Sequence, residues 1–144
     1  VTLASMVEKE TAIPEERPII ASVFWNRLDK GMKLECDPTV IYAATLEGNY
    51  RGRIYRSDLS RAHPYNTYQQ TGLPPGPIAN PGRAALEATL HPAETDYLFF
   101  VALPDGSGAH AFSRNLAAHN RAVARYRSGQ RQALRQEKAP AIFE

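Results

Sequence analysis

Leu3-Ala4-Ser5-Met6-Val7-Glu8-Lys9-Glu10-Thr11 reads as a helix with one apolar face. At ~100° of turn per residue, Leu3, Met6 and Val7 fall on the same side, and a side of this kind turns toward a core. Glu10 follows Val7 by three positions and Met6 by four, which puts it on that side too. Glu8 and Lys9 point away. A carboxylate on the buried side of a helix is costly unless it is paired, protonated or put to use. Apolar neighbours push a carboxyl pKa upward, which is what a general acid working near neutral pH requires. The residues leave a second reading open, in which Glu10 is the solvated end of the helix or pairs with Arg17 or Arg27.

The chain has 144 residues, 43% hydrophobic and 22% charged, the proportions of a globular domain with a real core. A net charge of +2 exerts no bulk pull toward nucleic acid, and no nucleic-acid partner is expected. The charge is unevenly placed: seven basic residues and a single acid, Glu137, lie between Arg114 and Lys138. Such a run is the solvated face of a helix or a surface that leans on anions. Cys36 is the sole cysteine, so an internal disulfide and a thiolate metal cluster are excluded. No stretch approaches the ~18 apolar residues of a membrane span. The chain opens without a methionine and already inside a helical pattern, so we expect a piece of a longer protein with any signal or anchor upstream.

Beyond Thr11, Pro14 and Pro18 punctuate the chain, and a second helix is expected to start between them. Ile20, Val23, Phe24, Arg27 and Leu28 form its stripe, Asn26 and Arg27 lie near its end, and Gly31 stops it. Asp37-Pro38 predicts an N-cap followed by proline in the first turn, opening a short helix to Leu46. Tyr50 to Tyr55 reads as a short strand or turn, and Ser57-Asp58 as a further helical turn. From Arg61 to Gly82, frequent prolines and glycines forbid long regular structure. This loop carries Tyr65, Asn66, Thr67, Tyr68, Gln69, Gln70 and Asn80. Aromatic faces beside amides and hydroxyls suit a sugar, and long loops in compact domains are often functional. Asn80-Pro81 repeats the cap signal and predicts a helix to about Leu90. Tyr97 to Leu103 and Ala109 to Phe112 read as two strands of a hairpin around Asp105-Gly106-Ser107-Gly108. Ser113 then predicts the cap of a long helix to about Arg127, with residues 130–144 as a tail that extends it or frays. The fold class is α+β: a helix-rich domain with a small antiparallel hairpin and a long Pro/Gly-rich loop.

The four histidines lack tight ligand spacing, and no metal or cofactor is expected. No GxSxG elbow, P-loop or GxGxxG is present. Carboxylate chemistry fits better. Glu10 is the acid on an apolar helical face, and Glu35 and Asp37 lie in the next polar turn. A glycosidase normally sets two carboxyl groups across the scissile bond, and one suffices if the substrate supplies its own nucleophile. Asp37 reads first as a helix cap and Glu35 as a solvated loop acid.

Several separated motifs then resemble one family in the same order. They are the Leu3–Thr11 stretch, Ala21-Ser22-Val23-Phe24-Trp25-Asn26-Arg27-Leu28, Asp37-Pro38-Thr39-Val40-Ile41-Tyr42 and Pro64-Tyr65-Asn66-Thr67-Tyr68. Gly72-Leu73-Pro74-Pro75-Gly76-Pro77-Ile78, Asn80-Pro81-Gly82, Tyr97 to Val101, His110-Ala111-Phe112-Ser113 and His119-Asn120 continue the series. Together they resemble the catalytic domain of the endolytic murein transglycosylases, the YceG-like family, over roughly Thr2 to Tyr126. The resemblance implies one catalytic domain over residues 1–144 of a membrane-anchored protein. Its place would be the outer, periplasmic face of the bacterial inner membrane, beside cell-wall synthases.

The implied reaction is lytic cleavage of the β-1,4 bond between N-acetylmuramic acid and N-acetylglucosamine within peptidoglycan strands. Glu10 would protonate the glycosidic oxygen, then take the proton of the muramoyl C6 hydroxyl as a 1,6-anhydro ring closes. The resemblance also implies that Asn26, Glu35, Asp37, Thr39, Tyr65, Asn66, Thr67, Asn80, His110 and Asn120 bind substrate, with no cofactor. Two positions depart from the family, which usually has Gln where Glu35 stands and a hydroxyl residue where Cys36 stands. An acid at Glu35 is expected to raise the Glu10 pKa if the two come close. Rival readings are a water-using muramidase with Glu35 or Asp37 as the second carboxylate, a non-catalytic glycan-binding module, and a helical interaction domain.

Overall fold

The computed structural model describes residues 1–138, and the last part of the tail, 139–144, lies outside the described residues. The architecture is α+β. In chain order it runs α1 (Thr2–Glu10), a 3₁₀ turn (Pro14–Glu16), α2 (Arg17–Asp29), α3 (Asp37–Leu46), α4 (Arg56–Ser60) and α5 (Arg83–Leu90). The hairpin β1 (Phe99–Ala102) and β2 (His110–Ser113) follows, and then α6 (Leu116–Lys138).

The core forms where α1, α2 and α5 pack on one another. Leu3, Met6 and Val7 bury the expected face of α1 against Ile20, Ala21 and Phe24 of α2, with Ala85 of α5. Fully burying a side chain such as Met6 or Phe24 contributes about 1.5–3 kcal/mol, so this junction dominates the stabilisation. Leu34 and Cys36, from the segment between α2 and α3, close one end of the same cluster. Phe100 and Phe112 pack against it from the hairpin. Ser5 fixes the loop to α1 by accepting the Ile78 N–H at 3.0 Å.

The hairpin is antiparallel, pairing Phe99 with Ser113, Phe100 with Phe112, Val101 with Ala111 and Ala102 with His110. Helix α6 lies across both strands. It runs past Arg127 to Lys138, so the part of the expected tail that is described is helical.

Three expected caps are corrected, each because a tertiary partner or the local path takes precedence over the local signal. At α3 the N-cap is Cys36, since the Asp37 carboxylate instead accepts the Tyr68 hydroxyl at 2.5 Å. At α5 the N-cap is Gly82, not Asn80, and its N–H donates to Glu8 Oε1 at 2.6 Å. At α6, Ser113 remains in β2, and Asn115 Oδ1 accepts the Ala118 N–H at 2.9 Å. No strand forms over Tyr50 to Tyr55. The segment leads into α4, where Asp58 accepts the Tyr55 N–H at 2.8 Å.

Candidate active site

Helix α1 ends at Glu10, and its last turn opens onto a cleft of about 490 Å³. The wall comprises Glu10, Arg27, Leu34, Glu35, Asp37, Tyr68, Phe100, Val101, Ala102, His110, His119, Val123, Tyr126, Arg127 and Gln130. One wall is therefore acidic, from Glu10, Glu35 and Asp37, while α6 supplies an aromatic and basic wall opposite in charge.

The Glu10 carboxyl is half-buried beneath this cleft. Burial is the main cause that drives its pKa from the ordinary 4.5 up to about 7. A thiol hydrogen bond from Cys36, Sγ to Oε1 at 3.3 Å, pulls it down, and the Asp37 charge pushes it up again. Asp37, and not Glu35, is the acid that acts on it. No ion pair to Glu10 forms among the described residues. A carboxyl of this kind is substantially protonated near neutrality and can give up a proton there.

Cys36 is fully buried, and burial with the neighbouring Glu10 raises its thiol pKa well above the usual range. It is held by two hydroxyls. The Cys36 N–H donates to Thr67 Oγ1 at 2.8 Å, and Thr39 Oγ1 donates to the Cys36 carbonyl at 2.7 Å. With the Thr39 proton so used, the Thr67 hydroxyl is the donor in the 2.8 Å bond between the two threonines. Thr39 and Thr67 are sealed from solvent and set the floor rather than line the cleft.

Arg27 braces the opposite side. Its Nε donates to the Leu98 carbonyl at 2.6 Å and its Nη1 to the Lys33 carbonyl at 2.7 Å. Its guanidinium lies 5.0 Å from the Phe99 ring centre and 3.7 Å from Glu35 Oε2. Burial lowers the Arg27 pKa from its usual value, with Glu35 opposing. Glu35 is thus drawn to Arg27, and its backbone adopts a left-handed φ of 48°. His119 stacks on Phe99 at 4.9 Å, and burial with the Arg27 charge lowers its pKa, favouring the neutral ring. Burial and the Asp37 charge raise the Tyr68 pKa, so its phenol stays a donor to Asp37.

A model of the YceG-like family matches residues 1–125. The chain belongs to the YceG-like family. It is 49% identical over 125 residues to an endolytic murein transglycosylase of Bacillus subtilis (strain 168), covering 87% of this chain and 33% of that protein. It is 36% identical over 130 residues to an endolytic murein transglycosylase of Streptococcus pneumoniae serotype 2, covering 87% of this chain and 23% of that protein. The crystal structure of a yceG-like protein from Listeria monocytogenes superposes with a TM-score of 0.76 at 46% identity, over 83% of this chain and 38% of that one. The chain thus spans a third or less of the curated relatives it matches.

Within this YceG-like fold the expected site residues divide in two. Glu10, Glu35, Asp37 and His110 share the cleft. Asn26, Thr39, Tyr65, Asn66, Thr67, Asn80 and Asn120 do not line it. Asn26 donates to the Thr95 and Tyr97 carbonyls at 3.0 and 2.9 Å, beside a separate open hollow with Tyr97 and Arg114. Asn66 is buried, its amide donating toward the carbonyls of Asp58, Leu59 and Arg61. Tyr65 rests its ring on Tyr42 at 4.8 Å. Asn80 and Asn120 are exposed elsewhere. The polar loop therefore spends Asn66, Thr67 and Gln69 on tying itself to neighbouring segments, through the carbonyls of Asp58 and Leu59 and the Cys36 N–H among others, and Tyr68 is the residue it sends into the cleft. The α6 residues His119, Val123, Tyr126, Arg127 and Gln130 were not expected beyond the His119-Asn120 motif. Their spacing at intervals of three and four marks a single helical face, a signal readable in the sequence.

Proposed function

We propose that this chain is a lytic transglycosylase that cuts the β-1,4 bond between N-acetylmuramic acid and N-acetylglucosamine inside peptidoglycan strands. The observation that carries the reading is the half-buried Glu10 carboxyl, with its pKa near 7, opening on a sugar-sized cleft. Glu10 gives its proton to the glycosidic oxygen as the C1–O bond breaks. The resulting carboxylate then takes the proton of the muramoyl C6 hydroxyl while that oxygen bonds to C1. The products are a 1,6-anhydro end and a free sugar hydroxyl, with no water consumed and the Glu10 proton restored. A group serving first as acid and then as base works best with a pKa close to ambient pH. The charges of Glu35 and Asp37 on the same wall favour the positive character that develops at C1.

His110, Glu35 and Asp37 contact the strand, while the buried Thr39, Asn66 and Thr67 hold the floor in place. The substrate is the glycan strand, and the partners are cell-wall synthases at the outer face of the bacterial inner membrane. No helix among the described residues is long and apolar enough to cross a membrane.

The presence of Glu35 and Asp37 on the cleft wall favours one second reading, a water-using muramidase on the same site. Mass spectrometry of digested peptidoglycan separates the two. Anhydro-muropeptides from the parent, absent with Glu10→Gln, support the lytic route. Reducing ends alone establish the muramidase, and binding without turnover establishes a glycan-binding module.

A further inference from the structure

The 3₁₀ turn between α1 and α2 carries a buried acid, Glu16, that the reaction above does not use. Its side chain is satisfied by three donors. Thr11, the residue after Glu10, gives its hydroxyl to Oε1 at 3.2 Å. The His110 backbone N–H reaches Oε2 at 2.8 Å. The His110 ring nitrogen Nδ1 sits 2.7 Å from Oε1. Both partners of this last contact are about nine-tenths buried, at 10% and 11% side-chain exposure. Glu16 and His110 are 94 positions apart, so this is a tertiary contact that fastens the end of α1 to the hairpin.

The count of protons fixes one ring nitrogen. A carboxylate offers acceptors alone, and two other donors already use Glu16 as one, so Nδ1 carries the hydrogen. The other nitrogen, Nε2, makes no hydrogen bond among the described residues. It is also not among the buried orphaned atoms, which are Arg17 Nε and His119 Nδ1. It is therefore open, and the ring lines the cleft that Glu10 lines. Rotation is hindered on both sides, by the Phe100 edge at 5.4 Å and by Phe112 at 6.3 Å.

We propose that Glu16 is a positioning residue that locks His110 in the Nδ1–H form, so that Nε2 presents a lone pair to a hydroxyl or amide N–H of the bound sugar strand. The proposal rests on the glycan-cleaving reading for the identity of the ligand, and on geometry alone for the state of the ring. Glu16 touches no substrate itself. It acts through the imidazole, in the way a carboxylate fixes the tautomer and aim of a functional histidine.

Glu16→Gln turns this into a measurement. A carboxamide cannot accept at both of its ends. If its oxygen keeps the His110 N–H, its NH₂ faces Nδ1 and forces the proton to Nε2, so that the cleft meets a donor instead of an acceptor. Nitrogen-15 NMR of the histidine rings above neutral pH reads this directly. The parent is expected in the Nδ1–H form and Glu16→Gln in the Nε2–H form. An Nε2–H form in the parent, or a ring protonated at both nitrogens, overturns the assignment, whatever the chain does to glycans.

The strand-side role is tested in the inert Glu10→Gln background, by binding of soluble peptidoglycan glycan oligomers. Glu16→Gln and His110→Ala should each weaken binding ~10-fold, the scale of one hydrogen bond lost with its partner left unpaired. The pair together should be no weaker than His110→Ala alone, because one residue acts through the other. Unchanged binding in His110→Ala, or additive losses in the pair, overturn the role. Failure of the lytic reading shows elsewhere, as absent anhydro ends from a parent whose ring form and binding are as stated. His110→Ala leaves Glu16 in place, so the test survives if Glu16→Gln fails to fold.

Discussion

The buried Cys36 thiol hydrogen-bonds to Oε1 of the half-buried Glu10 across 3.3 Å. A thiol is a weak donor, so it pulls the Glu10 pKa down less than a hydroxyl would, and burial keeps the upper hand. Cys36 touches this carboxyl, and the titratable groups that share its cleft are Asp37, Tyr68 from the loop, Arg27 of α2, Glu35, His110 of β2, and His119, Tyr126 and Arg127 of α6.

Substituting Cys36→Ser gives Glu10 a stronger donor. A reaction that begins with protonated Glu10 loses rate as pH rises through the Glu10 pKa. The alkaline limb of kcat/KM should therefore move to lower pH in Cys36→Ser and to higher pH in Cys36→Ala. Identical limbs in all three proteins would remove Cys36 from the control of Glu10.

Glu10 also imposes a cost that pH reveals. Its folded pKa, about 7, lies above its ordinary 4.5. Its contribution to stability is therefore complete below pH 4.5 and is lost as pH rises through about 7. A rise of this size corresponds to roughly 3 kcal/mol. Glu10→Gln, which never ionises, should abolish strand cleavage yet match the parent in stability at acid pH and exceed it by up to about 3 kcal/mol above neutrality. Thermal midpoints across this range check it, and a gap that does not grow with pH would contradict the buried carboxyl.

Local physics made parts of this legible and hid others. The face of α1 could be read because Leu3, Met6, Val7 and Glu10 obey one period, and the structure buries that face with Ile20, Ala21 and Phe24. The hairpin could be read from its strand composition and Gly-rich turn. Caps were misread where side chains had distant partners, as with Asp37 and the Tyr68 hydroxyl, 31 positions away. The loop's polar residues looked like sugar ligands, yet Asn66 and Thr67 satisfy buried backbone groups instead. Composition cannot distinguish these uses, because both call for amides and hydroxyls. The Glu16–His110 pair left no local trace at all, since neither residue's neighbours specify a contact 94 positions off.

Arg27 should resist even a conservative exchange. Its Nε and Nη1 hold the Leu98 and Lys33 carbonyls, at 2.6 and 2.7 Å, in directions set by one rigid fork. A lysine ammonium keeps the charge but cannot reach both carbonyls in that geometry. Arg27→Lys should cost about 1–2 kcal/mol, the lower part of the range for a carbonyl left without its donor, since both carbonyls are part-buried. The denaturant midpoint reads this loss, and a value near the parent's would mean that the fork is dispensable.

Glu35 should behave in the opposite sense. It holds a left-handed φ of 48°, a conformation that costs a residue with a Cβ roughly 1–2 kcal/mol and costs glycine little. Its carboxylate meets Arg27 at 3.7 Å with 48% of the side chain exposed, and an ion pair so open to solvent contributes little. The backbone N–H of Glu35, which donates to the Thr67 carbonyl at 3.2 Å, survives replacement by glycine. Glu35→Gly should therefore stabilise the chain by about 0.5–1 kcal/mol, after glycine's extra entropy loss on folding is set against the relieved strain. Removing its charge from the cleft wall should at the same time lower kcat, if that charge favours the developing positive centre. A rise in the denaturation midpoint with a fall in turnover would show that the strained turn is kept for the reaction. A fall in both would assign Glu35 to holding Arg27 instead.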